Sequence, residues 1–164
     1  MAGYSGTPLL QKLGIKPGLT VVIINAPANY RRLLGKIADG VTFSDRLKLD
    51  STFVHLFTSR RNELQRKMSI LRDKISDDGT VWVSWPKKSS GIATGVTEDV
   101  IREIALPLGF VDIKVCAVDE IWSGLKLMIR RENRRLPSPQ SSQRSTRSRP
   151  RGGSREAAGE GDFY

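Results

Sequence analysis

Lys87, Lys88, Ser89 and Ser90 follow a strand-like run, Thr80–Trp85, that closes at Pro86. A parallel strand that empties into cations and hydroxyls places anion-binding groups at the carboxyl edge of a sheet. Open α/β sheets hold their ligands at that edge. Paired lysines can clamp a phosphate as point charges, and equally they can sit on a solvated loop. Arg60 and Arg61 open a long helical pattern. There the helix dipole repels cations by about 0.3–1 kcal/mol each. An anion bridging them and the free helix amides would reverse that sign; in open water, screening makes the cost small. Asn25 ends the first strand at the same edge, and Trp85 offers a ring for stacking or for a cation, with packing under the loop as the plainer role. The loop is no P-loop, because no glycine-rich turn leads into a Gly-Lys-Ser/Thr unit.

Other reactive types are sparse. His55 is the single histidine and sits mid-strand between Val54 and Leu56. Alternation puts Phe53, His55 and Phe57 on one face, so a hydrogen-bonded histidine under a helix is expected. Cys116 lies in an apolar run and reads as an inert buried thiol. One His and one Cys make no zinc site. Asp119 and Glu120 are adjacent at a hairpin tip and read as turn residues, since neighbours on a strand point opposite ways. Trp82 belongs in the core, with Val81 and Val83 on the opposite face.

The net charge of +10 is divided between residues 1–132, at +6, and residues 133–164, at +4. Such an excess favours a small anionic ligand, an acidic protein surface or, weakly, nucleic acid; it also serves simply to keep a protein soluble and monomeric. Residues 133–164 are rich in Arg, Ser and Pro and read as a disordered tail. Contact with nucleic acid through its arginines would be sequence-blind, and no aromatic lies between Arg144 and Arg155 to stack on bases. A lone cysteine suits a reducing compartment, no apolar run approaches the ~18 residues of a membrane span, and the expected location is cytoplasmic.

The elements that must position these residues follow from periodicity. Residues 1–18 are punctuated by Gly and Pro and read as an irregular lead-in, with one apolar patch at Leu9–Leu13. Residues 19–132 read as one α/β domain. Thr20–Ile24 is a continuous apolar strand of the kind covered on both faces. Tyr30–Ile37 reads as a short helix, Val41–Phe43 and Thr52–Phe57 as strands. Ser59 is the expected N-cap of a helix over Arg60–Ile75, with Leu64, Met68, Leu71 and Ile75 on its core face. Asp77-Asp78-Gly79 is the expected turn into Thr80–Trp85. Thr97 caps a further helix whose first turn holds Glu98 and Asp99. Phe110–Val118 and Trp122–Arg130 are joined too tightly for a crossover and must pair antiparallel. The sum is a three-layer, Rossmann-like α/β fold: a mostly parallel sheet with a C-terminal antiparallel hairpin.

Strand, long helix, strand, helix and closing hairpin over residues 52–130 resemble the second half of a class I S-adenosylmethionine-dependent methyltransferase. That resemblance implies a cofactor loop after the first strand and an acidic residue after the second, the place of Asp45, to hold a ribose. The loop Asn25-Ala26-Pro27-Ala28-Asn29 departs from it by having no glycine, and Pro27 removes a backbone donor. Four segments are also similar to a family of small bacterial proteins known as a domain of unknown function. They are Gly3–Leu9, Asn25-Ala26-Pro27, Trp82–Lys88, and Val115–Glu120 with Trp122–Lys126. This second resemblance implies a fold and no activity.

The sequence therefore favours a non-catalytic α/β module without cofactor. It would bind a phosphate-bearing ligand or a protein partner through Arg60, Arg61, Lys87, Lys88, Ser89, Ser90 and Asn25, with Trp85 beside them. A divergent methyltransferase using S-adenosylmethionine is the alternative, and a weak nucleic-acid-binding accessory protein is the second alternative.

Overall fold

In the computed structural model, residues 8–37 and 39–134 are described. The expected tail lies almost wholly outside these residues, as do the first seven positions. The elements are α1 (Leu9–Leu13), β1 (Thr20–Ile24), α2 (Tyr30–Leu34), β2 (Thr42–Ser44), β3 (Ser51–Phe57), α3 (Arg61–Lys74), β4 (Ile75–Pro86), α4 (Glu98–Ala105), β5 (Phe110–Ala117) and β6 (Trp122–Ile129). The six strands form one sheet in the order β2-β1-β3-β4-β6-β5. The first four strands of that order run parallel, and β6 runs antiparallel to both β4 and β5.

Strand alternation divides the core. Val22, Val54, Leu56, Val81, Val83, Leu125 and Leu127 pack under α3 and α4. Val21, Phe53, Phe57 and Trp82 pack against Leu9 and Leu13 of α1 and Tyr30 and Leu34 of α2. The expected stripe of α3 holds: Leu64, Met68 and Leu71 are all fully buried. Thr97 caps α4 as expected, accepting a hydrogen bond from the Val100 amide. Among the described residues no helix is long and apolar enough to cross a membrane.

Four local expectations change. The stretch read as an irregular lead-in contains α1, because Leu9 and Leu13 find a buried face to cover. The second helix ends three residues early, at Gly35, whose φ of 79° a side chain would resist. Ser59 does not cap α3; Arg60 occupies the N-cap position, and Thr58 Oγ1 accepts the Arg60 amide instead. Asp77-Asp78-Gly79 makes no turn. The chain leaves α3 at Ile75 already extended, so β4 starts there, with a register shift against β3 between Ser51 and Phe53. Gly79 serves close approach: a Cβ on it would stand 2.8 Å from Ile75 Cγ1.

Leu71→Ala should cost about 2–5 kcal/mol of unfolding free energy, and Thr97→Ala about 1 kcal/mol. Urea unfolding followed by far-UV circular dichroism measures both.

Candidate functional site

Chain order reverses beside β1: the strand that follows β1 lies on one side of it and β3 on the other. At such a switch point the loops diverge and leave a crevice outside the carboxyl ends. Asn25 leaves β1 there with φ 60°. Asn tolerates this left-handed conformation better than other residues with a side chain, so the turn is made without glycine.

The expected anion-binding residues fall into separate groups. Asn25, Thr58 and Arg60 converge on Glu63. Thr58 Oγ1 donates to Glu63 Oε1 at 2.7 Å, and Arg60 Nη2 donates to Oε2 at 3.3 Å. Foremost the Thr58 hydroxyl, then Arg60 and the Asn25 amide, hold the Glu63 carboxyl below its usual range against the opposing effect of burial. Arg61 points elsewhere, pairing with Glu103 of α4 at 3.0 Å. Both arginines thus meet carboxylates. Glu63 and Glu103 were not singled out from the sequence; an acid three residues into a helix reads only as dipole chemistry.

The segment after β4 is self-contained. Lys88–Ser90 form one 3-10 turn, Ser90 Oγ donates to the Lys87 carbonyl at 2.6 Å, and the Ile92 amide donates to Ser90 Oγ. Ser89 follows in the same turn. Lys88 and Trp85 line one hollow of about 470 Å³ with Pro86, Ile92, Thr94 and Thr97. The Thr94 and Thr97 hydroxyls already bond to backbone. Its chemistry is therefore an apolar wall with one cation at the rim. Arg60, Arg61 and Asn25 do not line it.

On the other side of the switch point, Ile24 at the end of β1 and Asp45 just after β2 share a hollow of about 280 Å³ with Leu47, Lys67 and Ile70. This joins an apolar strand end to an exposed carboxylate.

His55 is not at either opening. It is fully buried, with Nδ1 2.8 Å from the Tyr30 hydroxyl and Nε2 2.7 Å from Ser84 Oγ. Burial pushes its pKa down to about 3 and pushes the Tyr30 phenol above its ordinary value. The imidazole is neutral and sealed, so it acts by position. It ties the first residue of α2 to the two central strands, and Phe57 stacks on it at 4.3 Å. Cys116 is half-buried and its thiol is pushed up by burial, which disfavours the nucleophilic thiolate. Asp119 is a turn residue, its Oδ1 accepting from the Ile121 and Trp122 amides. Among the described residues no group of three or more His, Cys, Asp or Glu could hold a metal.

The sequence matches no family model and no curated protein. The fold is similar to solved structures. One is described as a type 11 methyltransferase from Sulfolobus solfataricus, at 16% identity and TM-score 0.54 over 77% of this chain and 92% of that one. Another is a SAM-dependent methyltransferase from Aquifex aeolicus, at 12% identity and TM-score 0.55 over 74% and 87%. A third is the PH0226 protein from Pyrococcus horikoshii, at 13% identity and TM-score 0.50 over 75% and 87%. The chain therefore has a Rossmann-like, methyltransferase-type fold. These likenesses overturn two expectations, the non-catalytic module as first reading and the lack of any cofactor. Two of the three neighbours are described as methyltransferases, one of them SAM-dependent.

Between its ordinary value of about 6.5 and about pH 3, His55 takes up a proton when unfolded and refuses it when folded. Stability should therefore fall as pH drops below 6.5. In His55→Gln that slope should vanish between about pH 6.5 and 5, above the range where carboxylates titrate. Urea midpoints at a series of pH values test this, and an unchanged slope would rule out a buried neutral imidazole.

Proposed function

We propose that this chain is a divergent S-adenosylmethionine-dependent methyltransferase that holds its cofactor at the switch point beside β1 and β2. The observation that carries the reading is the shared hollow of Ile24 and Asp45 at the carboxyl ends of those two strands. Its chemistry fits a nucleoside: a carboxylate accepts hydrogen bonds from ribose hydroxyls, and Ile24 and Leu47 offer apolar surface to a purine. The left-handed Asn25 supplies the turn that glycine makes in related folds.

Bound S-adenosylmethionine would supply an electrophilic methyl group on a sulfonium. The chain's own work is then to hold and orient, since in-line transfer depends on placing the acceptor lone pair opposite the leaving sulfur. Asp45 fixes the ribose. The Asn25–Glu63 contact and the Tyr30–His55 hydrogen bond pin the two ends of loop 25–29. The acceptor enters the Trp85–Lys88 hollow, where Lys88 favours a negatively charged molecule, in line with the net charge of +10. Within this reading the protein is cytoplasmic, and its segments Asn25-Ala26-Pro27 and Trp82–Lys88 support membership of the small bacterial family of unknown function.

Titration calorimetry with S-adenosylmethionine should give a saturable heat. Asp45→Ala should weaken binding by about tenfold, the order of one hydrogen bond to a charged group. No heat at millimolar cofactor would end the proposal.

A further inference from the structure

The opposite end of the sheet carries a polar hollow that the cofactor reading does not use. It measures about 420 Å³ and lies between the loop after α1 and the amino ends of β3 and β4. From Thr52 to the carboxyl end of β3 the strand runs roughly 16 Å at 3.3 Å per residue. Leu13 and Phe53 form apolar wall, while Lys16, Thr52, Asp78, Thr80 and Lys126 supply the polar groups.

Charge is unbalanced there. Lys114 stands opposite Lys126 in the β5–β6 ladder, and like charges facing across a ladder destabilise it. Burial first, then Lys114 and Lys16, lower the hold of Lys126 on its proton. Among the described residues no carboxylate forms an ion pair with Lys16, Lys114 or Lys126. Asp78, the one carboxylate in the lining, accepts a hydrogen bond from Ser76. The Thr80 hydroxyl makes no hydrogen bond among the described residues. Two lysines and the Thr80 hydroxyl line the cavity with one carboxylate, and Lys114 adds a third cation from the neighbouring strand; this excess of positive charge suits an anion with several oxygens and more than one charge, which a carboxylate does not provide.

We propose that this hollow binds a phosphoryl group, free or on a nucleic-acid strand. Lys16 and Lys126 contact it, Lys114 adds charge from the neighbouring strand, and Thr80 donates to its oxygens. Binding here is independent of S-adenosylmethionine at the other end of the sheet.

The test uses the full chain at low ionic strength with inorganic pyrophosphate in calorimetry and thermal shift, and a short oligothymidylate in fluorescence anisotropy. At least one probe should bind saturably and raise the melting temperature. Lys126→Met should weaken it by at least about tenfold, whereas Lys48→Met, with the same loss of charge, should not. Without ligand, Lys126→Met should melt no lower than wild type, because it removes a repulsion. Pyrophosphate binding assigns a free phosphate, and oligothymidylate binding alone assigns a strand. Binding of neither, or equal affinity in Lys126→Met and wild type, overturns the proposal.

Discussion

A neutral imidazole buried on the central strand is the constraint around which one face of the sheet is arranged. His55 stands between β1 and β4, where both faces are covered. Two ring nitrogens in such a place need partners, since an unsatisfied buried polar group costs about 1–3 kcal/mol. Ser84 on β4 and Tyr30 at the head of α2 meet that need. A five-residue helix cannot be stable by itself. Here it is held by the Tyr30–His55 hydrogen bond, by the edge-to-face contacts of Tyr30 with His55 and Phe57, and by the burial of Leu34. The order then passes outward to Trp122, which meets Phe57 edge-on and anchors the hairpin tip.

The same linkage bears on function. A glycine-rich loop approaches a cofactor through its lack of side chains. In this chain the loop between β1 and α2 has no glycine, and its course is set by ties at its ends. Glu63 gathers Asn25 at one side, and His55 gathers Tyr30 at the other. The arginines of the carboxyl edge pair with Glu63 and Glu103, and the charges that line cavities there are Lys88 beside Trp85 and Asp45, Lys67 and Lys74 beside Ile24.

The two ends of the sheet differ in kind. At the carboxyl end Glu63 and Glu103 pair with Arg60 and Arg61. At the amino end three lysines gather without an ion pair among the described residues, although the strand pairing that brings Lys114 and Lys126 together cannot be relaxed without losing the hairpin register.

Periodicity alone determined the layered α/β architecture, the stripe of α3, the Thr97 cap and the closing hairpin, because each depends on residues a few positions apart. The sides taken by Trp82 and His55 were legible for the same reason: alternation in a strand is strict. The Asp77-Asp78-Gly79 stretch misled, since Asp and Gly read as a turn while pairing with β3 drew the segment into β4. What only the tertiary structure decided was which charges meet. Arg60 and Arg61 are neighbours in sequence yet turn to carboxylates on different elements. Asp45 meets Ile24 through strand order across the sheet, and Lys16 comes near Lys126 where the loop after α1 lies against β6. Side-chain pairing between distant segments depends on that order and on register, and neither leaves a local pattern in the chain.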